Sequence, residues 1–351
     1  MKKNRNYYVD FIRGLAIISV ILIHTAWHSG TKYVPELVRN LTLLFEVPIF
    51  FFIAGWTYSY SKNNEKYIKG LLKLQLRYMI YMTIVFLVIL ISNKNEVQLK
   101  ELIYWIFHKY SNTYPLQSVQ YSLWFMKTYF MTALCGIAII SFTKENKLKY
   151  ICFVLLLLII LQTFKVKLFS PIIIGLNVSI NFIIFYSFIF LIGYILRNYR
   201  VTIIKFILSI LINIIFLIIG KYVFDYDIFD IQTSKQNTSI IYLVWSMFGI
   251  YIVMFLKNYI TNMKENIIVK LGQNSIYLYF AQGISSSLLY CISPQINLNW
   301  YIKLPIMFAI NLIMALLIMF ILKYSIEYII NIPQYILKLK QMKGNYNEEN
   351  S

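Results

Sequence analysis

The chain has 351 residues, 59% of them hydrophobic and 13% charged, with a mean hydropathy of +0.64 and a formal net charge of +19. That apolarity excludes an ordinary soluble domain, and basic residues scattered in short clusters between apolar runs exclude a nucleic-acid face and read as topology signals. Cys135, Cys152 and Cys291 stand isolated in apolar runs, with no paired spacing and no neighbouring histidine, which argues against a metal site or a disulfide framework.

The first apolar segment, residues 8–28, follows Lys2, Lys3 and Arg5 and reads as a retained signal anchor. Within it stand Asp10, Arg13, His24 and His28. At about 100° per residue, with Asp10 at zero, Arg13 falls near 300°, His24 near 320° and His28 near 0°, so all four share one helix face. Arg13 and His24 are separated by about three turns, roughly 16 Å of rise, so one extended ligand can touch both. The competing reading is an interfacial Asp10–Arg13 ion pair with His24 as a satisfied polar residue of a bundle.

Further apolar segments fall at 40–60, 75–93, 122–142, 149–164, 177–196, 202–223, 238–256, 274–293 and 301–324. The fold class is therefore all-α: a polytopic membrane protein of about ten transmembrane helices. Between the third and fourth segments, VQLKELIYWIFHKY has apolar residues at helical spacing and reads as a helix along the outer membrane surface, with His108 an interfacial side chain. After Pro333 the chain reads as a basic then polar tail with the composition of a disordered end. Lys62, Lys66, Lys69, Lys73, Arg77, Lys144, Lys147, Lys149, Arg197, Arg200, Lys257, Lys264 and Lys270 cluster in alternate connections, while Asp225, Asp227 and Asp230 sit in an opposite one. The positive-inside rule then places both termini in the cytoplasm of a multi-pass cell-membrane protein.

Asp10-x-x-Arg13-Gly14-x-Ala16, with His24 beyond it, resembles the opening signature of the acyltransferase 3 family of integral-membrane acyltransferases. Three later pieces agree in order: Val47-Pro48-Ile49-Phe50-Phe51-Phe52-Ile53-Ala54-Gly55, with Ala54 where the family usually has Ser; Ser122-Leu123-Trp124-Phe125; and Leu271-Gly272-x-x-Ser275 followed by Tyr279. Gln282 stands where the late element often has His. The form of the second piece is most similar to the subgroup acting on surface polysaccharides and sugars.

The resemblance implies an acyltransferase domain over residues 1–330, with 331–351 as a cytoplasmic tail. It also implies no permanently bound cofactor, acetyl-coenzyme A or another acyl-coenzyme A as donor, and the hydroxyl of a cell-surface glycan or its lipid-linked precursor as acceptor. Membrane lipids are the remaining partners. On that reading Arg13 grips a coenzyme A phosphate through its planar fork, Asp10 fixes the fork, and His24 is the general base. Glu46 has two readings, as the orienter of His24 or as an ion-pair partner of Arg39 or Lys127. His28 is an interfacial histidine or a second base, and Trp124, Phe125, Ser275, Tyr279 and Gln282 are substrate-lining candidates. The rival functions are a transporter or exporter of a surface glycan or small solute, since polar groups within spans also mark substrate pathways, and a non-catalytic scaffold, which leaves the Arg13–His24 alignment without a purpose.

Overall fold

A computed structural model describes residues 6–30, 32–61, 63–92, 98–106, 116–143, 145–164, 179–260 and 263–348, without the side chains of 99, 145–146 and 334–348. Among these residues the chain is helical, with no strand. In order the helices are α1 (Tyr7–His28), α2 (Glu36–Thr42), α3 (Val47–Ser61), α4 (Asn64–Ser92), α5 (Leu99–Ile106), α6 (Gln117–Phe142) and α7 (Glu145–Thr163). They continue with α8 (Ile180–Ile195), α9 (Ile203–Tyr222), α10 (Ile231–Gln236), α11 (Ile240–Leu256), α12 (Ile267–Gln273), α13 (Ser275–Ile292) and α14 (Trp300–Glu348).

Each of the ten apolar segments holds a helix, and among the described residues seven helical stretches are long and apolar enough to cross a membrane. Only helices satisfy their own backbone in hydrocarbon, which is why an apolar chain of this composition takes this form. The structure departs from the expected boundaries where polar side chains cap or break the chain. The 40–60 segment is interrupted at Leu43–Glu46, between α2 and α3, and Pro48 occupies the first turn of α3, where its missing N–H costs nothing. The connection between α4 and α6, expected to lie along the outer membrane surface, holds α5, whose Trp105 is fully buried against Phe86; His108 lies outside the described residues. The stretch expected to be a disordered tail after Pro333 is a continuation of α14 as far as Glu348, because YILKLKQMK is a run of good helix formers that propagates past the proline.

The bundle is built around α1. In its span 67% of the residues are buried, against 17% for α9, whose Ile207, Leu211 and Phe216 face outward as lipid-facing residues do. Asn6 caps α1, its side chain accepting from the Tyr8 and Val9 amides at 3.1 and 3.3 Å. The helix then packs against α12, α13, α14, α3 and α2. Its contact with α12 is backbone to backbone: a Cβ on Gly272 would lie 1.7 Å from the Asp10 carbonyl oxygen, and one on Gly14 would lie 2.1 Å from the Ile268 carbonyl oxygen. The α3–α8 contact repeats the device with Gly55 against Phe190 and Gly193 against Phe52. Close approach through small residues is the main source of van der Waals contact where water supplies no hydrophobic drive.

Gly272→Ala is therefore expected to separate α12 from α1 and to cost folded yield and several degrees of melting temperature in detergent. Gly70→Ala, where nothing lies within 4 Å of an added Cβ, should be neutral or stabilise by about 0.5–1 kcal/mol through helix propensity. Equal melting curves for the two variants would refute the close-approach argument.

Candidate functional site

His24 lies on the buried stretch of α1, 8% exposed, and lines a cavity of about 300 Å³ between α1, the α2–α3 junction, α6, α10 and α13. The cavity has three kinds of wall. Trp124, Phe125 and Tyr279 form an aromatic side. His24 and His28 form a second, their rings 5.0 Å apart, with His28 stacked on Tyr121 at 4.9 Å and 11°. Glu46, Lys235, Gln232 and Gln236 form the polar side.

The polar side is held by one buried ion pair. Lys235 Nζ lies 2.6 Å from Glu46 Oε2, and the Tyr242 hydroxyl donates to Glu46 Oε1 at 2.8 Å. Glu46 is 2% exposed, so its charge needs both partners. Lys235 also lies 5.3 Å from the centre of the Trp124 ring, a cation–π contact that ties the polar wall to the aromatic one. The short helix α10 that carries Lys235 is fixed at its start by Asp230, which accepts from the Thr233 amide at 3.0 Å, and by Asn40, whose Oδ1 accepts from the Gln232 amide at 3.0 Å.

These contacts correct the expectation for Glu46. It stands in the break before α3 rather than on a helix, and its carboxylate is taken up by Lys235 and Tyr242. It makes no hydrogen bond to His24, whose Nδ1 is enclosed and has no hydrogen-bond partner in the protein. Nor is its ion pair the one with Arg39 or Lys127; Arg39 instead lies over the Trp27 ring at 4.7 Å. Lys235 was not identified from the sequence, because a six-residue helix is too short to show a period and its charge read as part of an outer loop. The readable signal was Asp230 three residues ahead of Thr233, the spacing of a helix cap.

Arg13 stands at the other end of the α1 face, its side chain 31% exposed and Asp10 buried beside it at 3.6 Å. That separation is wider than a hydrogen bond, so the donors of the fork are not committed to Asp10. The Arg13 charge acts on the phenols of Tyr67 of α4 and Tyr129 of α6. Tyr129 packs on Phe125 at 5.6 Å and Phe125 on Tyr279 at 5.2 Å, so one aromatic cluster runs from the Arg13 end to the cavity. Tyr279 donates its hydroxyl to the Ser122 carbonyl. Of the remaining candidates, Trp124, Phe125 and Tyr279 line the cavity, Ser275 sits at the start of α13 and is not among its lining residues, and Gln282 is fully buried in α13 outside the lining. Among the described residues no cluster of His, Cys, Asp or Glu could hold a metal ion.

Fold and site together define a polytopic helical membrane protein with a histidine-lined cavity. The family model described as an acyltransferase domain matches residues 6–324, nearly the whole chain. The chain belongs to this acyltransferase 3 family, and it is a membrane acyltransferase. Comparison with curated proteins and with solved structures gives no match.

Removing Lys235 leaves a buried carboxylate with Tyr242 alone. Lys235→Met is expected to destabilise the fold by about 3–5 kcal/mol, whereas Glu46→Gln combined with Lys235→Met should recover most of that loss. Thermal unfolding of the purified variants measures both, and a fully stable single variant would show that the pair does not hold the cavity wall.

Proposed function

We propose that this acyltransferase moves an acyl group, acetyl in the first instance, from acyl-coenzyme A to a hydroxyl of a cell-surface glycan or its lipid-linked precursor. The observation that carries the reading is His24, with one ring nitrogen enclosed, lining a cavity whose walls are aromatic and polar, three turns along one helix face from an arginine with uncommitted donors. Aromatic faces beside amide and ammonium donors suit a sugar ring, whose C–H faces are apolar and whose hydroxyls need partners.

In the reaction the imidazole takes the proton of the acceptor hydroxyl as that oxygen attacks the thioester carbonyl. The carbon–sulfur bond then breaks, the proton passes to the leaving thiolate, and the products are the ester and coenzyme A. Arg13 holds a phosphate of the donor through paired hydrogen bonds, with Asp10 keeping the fork in place, and the pantetheine arm follows the α1 face towards His24. The Lys and Arg distribution supports a cell-membrane location with both termini, and the Arg13 end of α1, on the cytoplasmic side where acyl-coenzyme A is made.

Transfer of labelled acetyl from acetyl-coenzyme A to cell-envelope glycan tests the assignment. His24→Ala should leave an inserted, folded protein and lower the rate by about 10²-fold or more. Transfer by the variant at the wild-type rate would remove His24 as the base, and solute flux without transfer in the wild type would favour a transporter. Arg13→Lys keeps the charge but loses the fork, and should raise the KM for acetyl-coenzyme A by about tenfold, the effect of one lost charge-assisted contact. An unchanged KM would take Arg13 out of the donor site.

A further inference from the structure

Gln282 on α13 is fully buried, and neither Nε2 nor Oε1 of its side-chain amide has a hydrogen-bond partner in the protein. Enclosing an unpaired amide is costly, and native interiors leave few such groups without a role. His24 Nδ1 is a second enclosed polar atom in the same condition.

The two belong to one region of the helix packing. Tyr279, three residues before Gln282, lines the cavity with His24. Beyond Gln282, Ser285 donates to Asn311 Oδ1 at 2.6 Å, and the Asn311 amide donates to Ser286 at 3.1 Å and to Thr25 Oγ1 at 2.9 Å. Thr25 directly follows His24. Gln282 and Ser286 are four residues apart and so lie on one stripe of α13, the stripe tied through Asn311 to α1. Gln282 thus stands within about one helical turn, ~5 Å along the axis, of the His24–Thr25 level. His24 Nδ1 and the two atoms of the Gln282 side-chain amide are themselves within the two to four partners that an enclosed water requires.

We propose that Gln282 is a positioning residue for His24: one enclosed water accepts the Nδ1–H and donates to the side-chain carbonyl oxygen of Gln282, which holds the imidazole in the tautomer whose Nε2 is the free base. A histidine base is usually oriented in this way by whatever its other nitrogen contacts. The assignment rests on His24 being the base, as proposed above.

Acetyl transfer by purified wild type, Gln282→Leu, Gln282→Glu, His24→Ala and the His24→Ala/Gln282→Leu double variant tests it, with melting temperature measured alongside. Gln282→Leu should lower kcat by about 10–100-fold, the range typical of a lost outer partner of a histidine, with KM for acetyl-coenzyme A within about twofold of wild type. Gln282→Glu keeps an acceptor and should restore kcat to within about threefold of wild type. The double variant should be no slower than His24→Ala, because the two residues act as one unit. Wild-type kcat in Gln282→Leu beside an inactive His24→Ala would overturn the role of Gln282 and leave the base in place. An active His24→Ala would instead overturn the base, and the Gln282 assignment with it. If Gln282→Leu loses stability as well as rate, Gln282→Glu decides: rescue supports positioning, and a stable but slow Gln282→Glu refutes it.

Discussion

The backbone contact between α1 and α12 sets the geometry of everything above it. Gly14 and Gly272 allow two helices to meet at their carbonyls, and no residue with a Cβ fits at either place without moving a backbone. Because α13 follows α12 after a single intervening residue, Asn274, the depth of that contact also sets the depth of Tyr279 and Gln282 relative to His24. The Leu271-Gly272-x-x-Ser275 element is thus first a packing device, and its effect on the site comes from the length of α13. Its own Ser275 stays at the far end.

Above that contact the fold has to satisfy polar side chains where water is scarce, and it does so unevenly. Glu46 is saturated by Lys235 and Tyr242, and Asn311 by Thr25, Ser285 and Ser286. Such saturated groups act as struts: each joins helices distant in sequence, and removing one member strands the others. His24 Nδ1, the Gln282 amide and the Arg13 fork differ, because their hydrogen-bonding capacity exceeds what the protein itself uses. Groups left in this condition are candidates for chemistry or ligand binding, which can account for the cost.

The Glu46–Lys235 pair also explains why a loop helix belongs to the cavity. Lys235 pulls α10 inward over the break between α2 and α3, and its ammonium rests against the Trp124 ring. The polar wall is therefore built from the shortest elements of the bundle, held by caps and one ion pair, while the aromatic wall rides on α6 and α13. This division lets long helices fix the His24 ring and lets short ones shape the space in front of it.

The sequence by itself determined the all-helical class, the ten apolar segments, the shared face of Asp10, Arg13 and His24, and the family, because these depend on local periodicity and on motifs within single segments. Trp124, Phe125 and Tyr279 were legible as lining candidates for the same reason. What the tertiary structure alone decided are the pairings: that Glu46 answers Lys235 almost two hundred positions away, that Asn311 reaches Thr25, and that Ser275 and Tyr279, one turn apart, have different surroundings. A charge pattern states which partners a buried carboxylate needs, but several basic residues satisfied that need on paper. Only the packing of helices chose among them, since the cost of an unpaired buried charge depends on distance and enclosure, which a linear sequence does not contain.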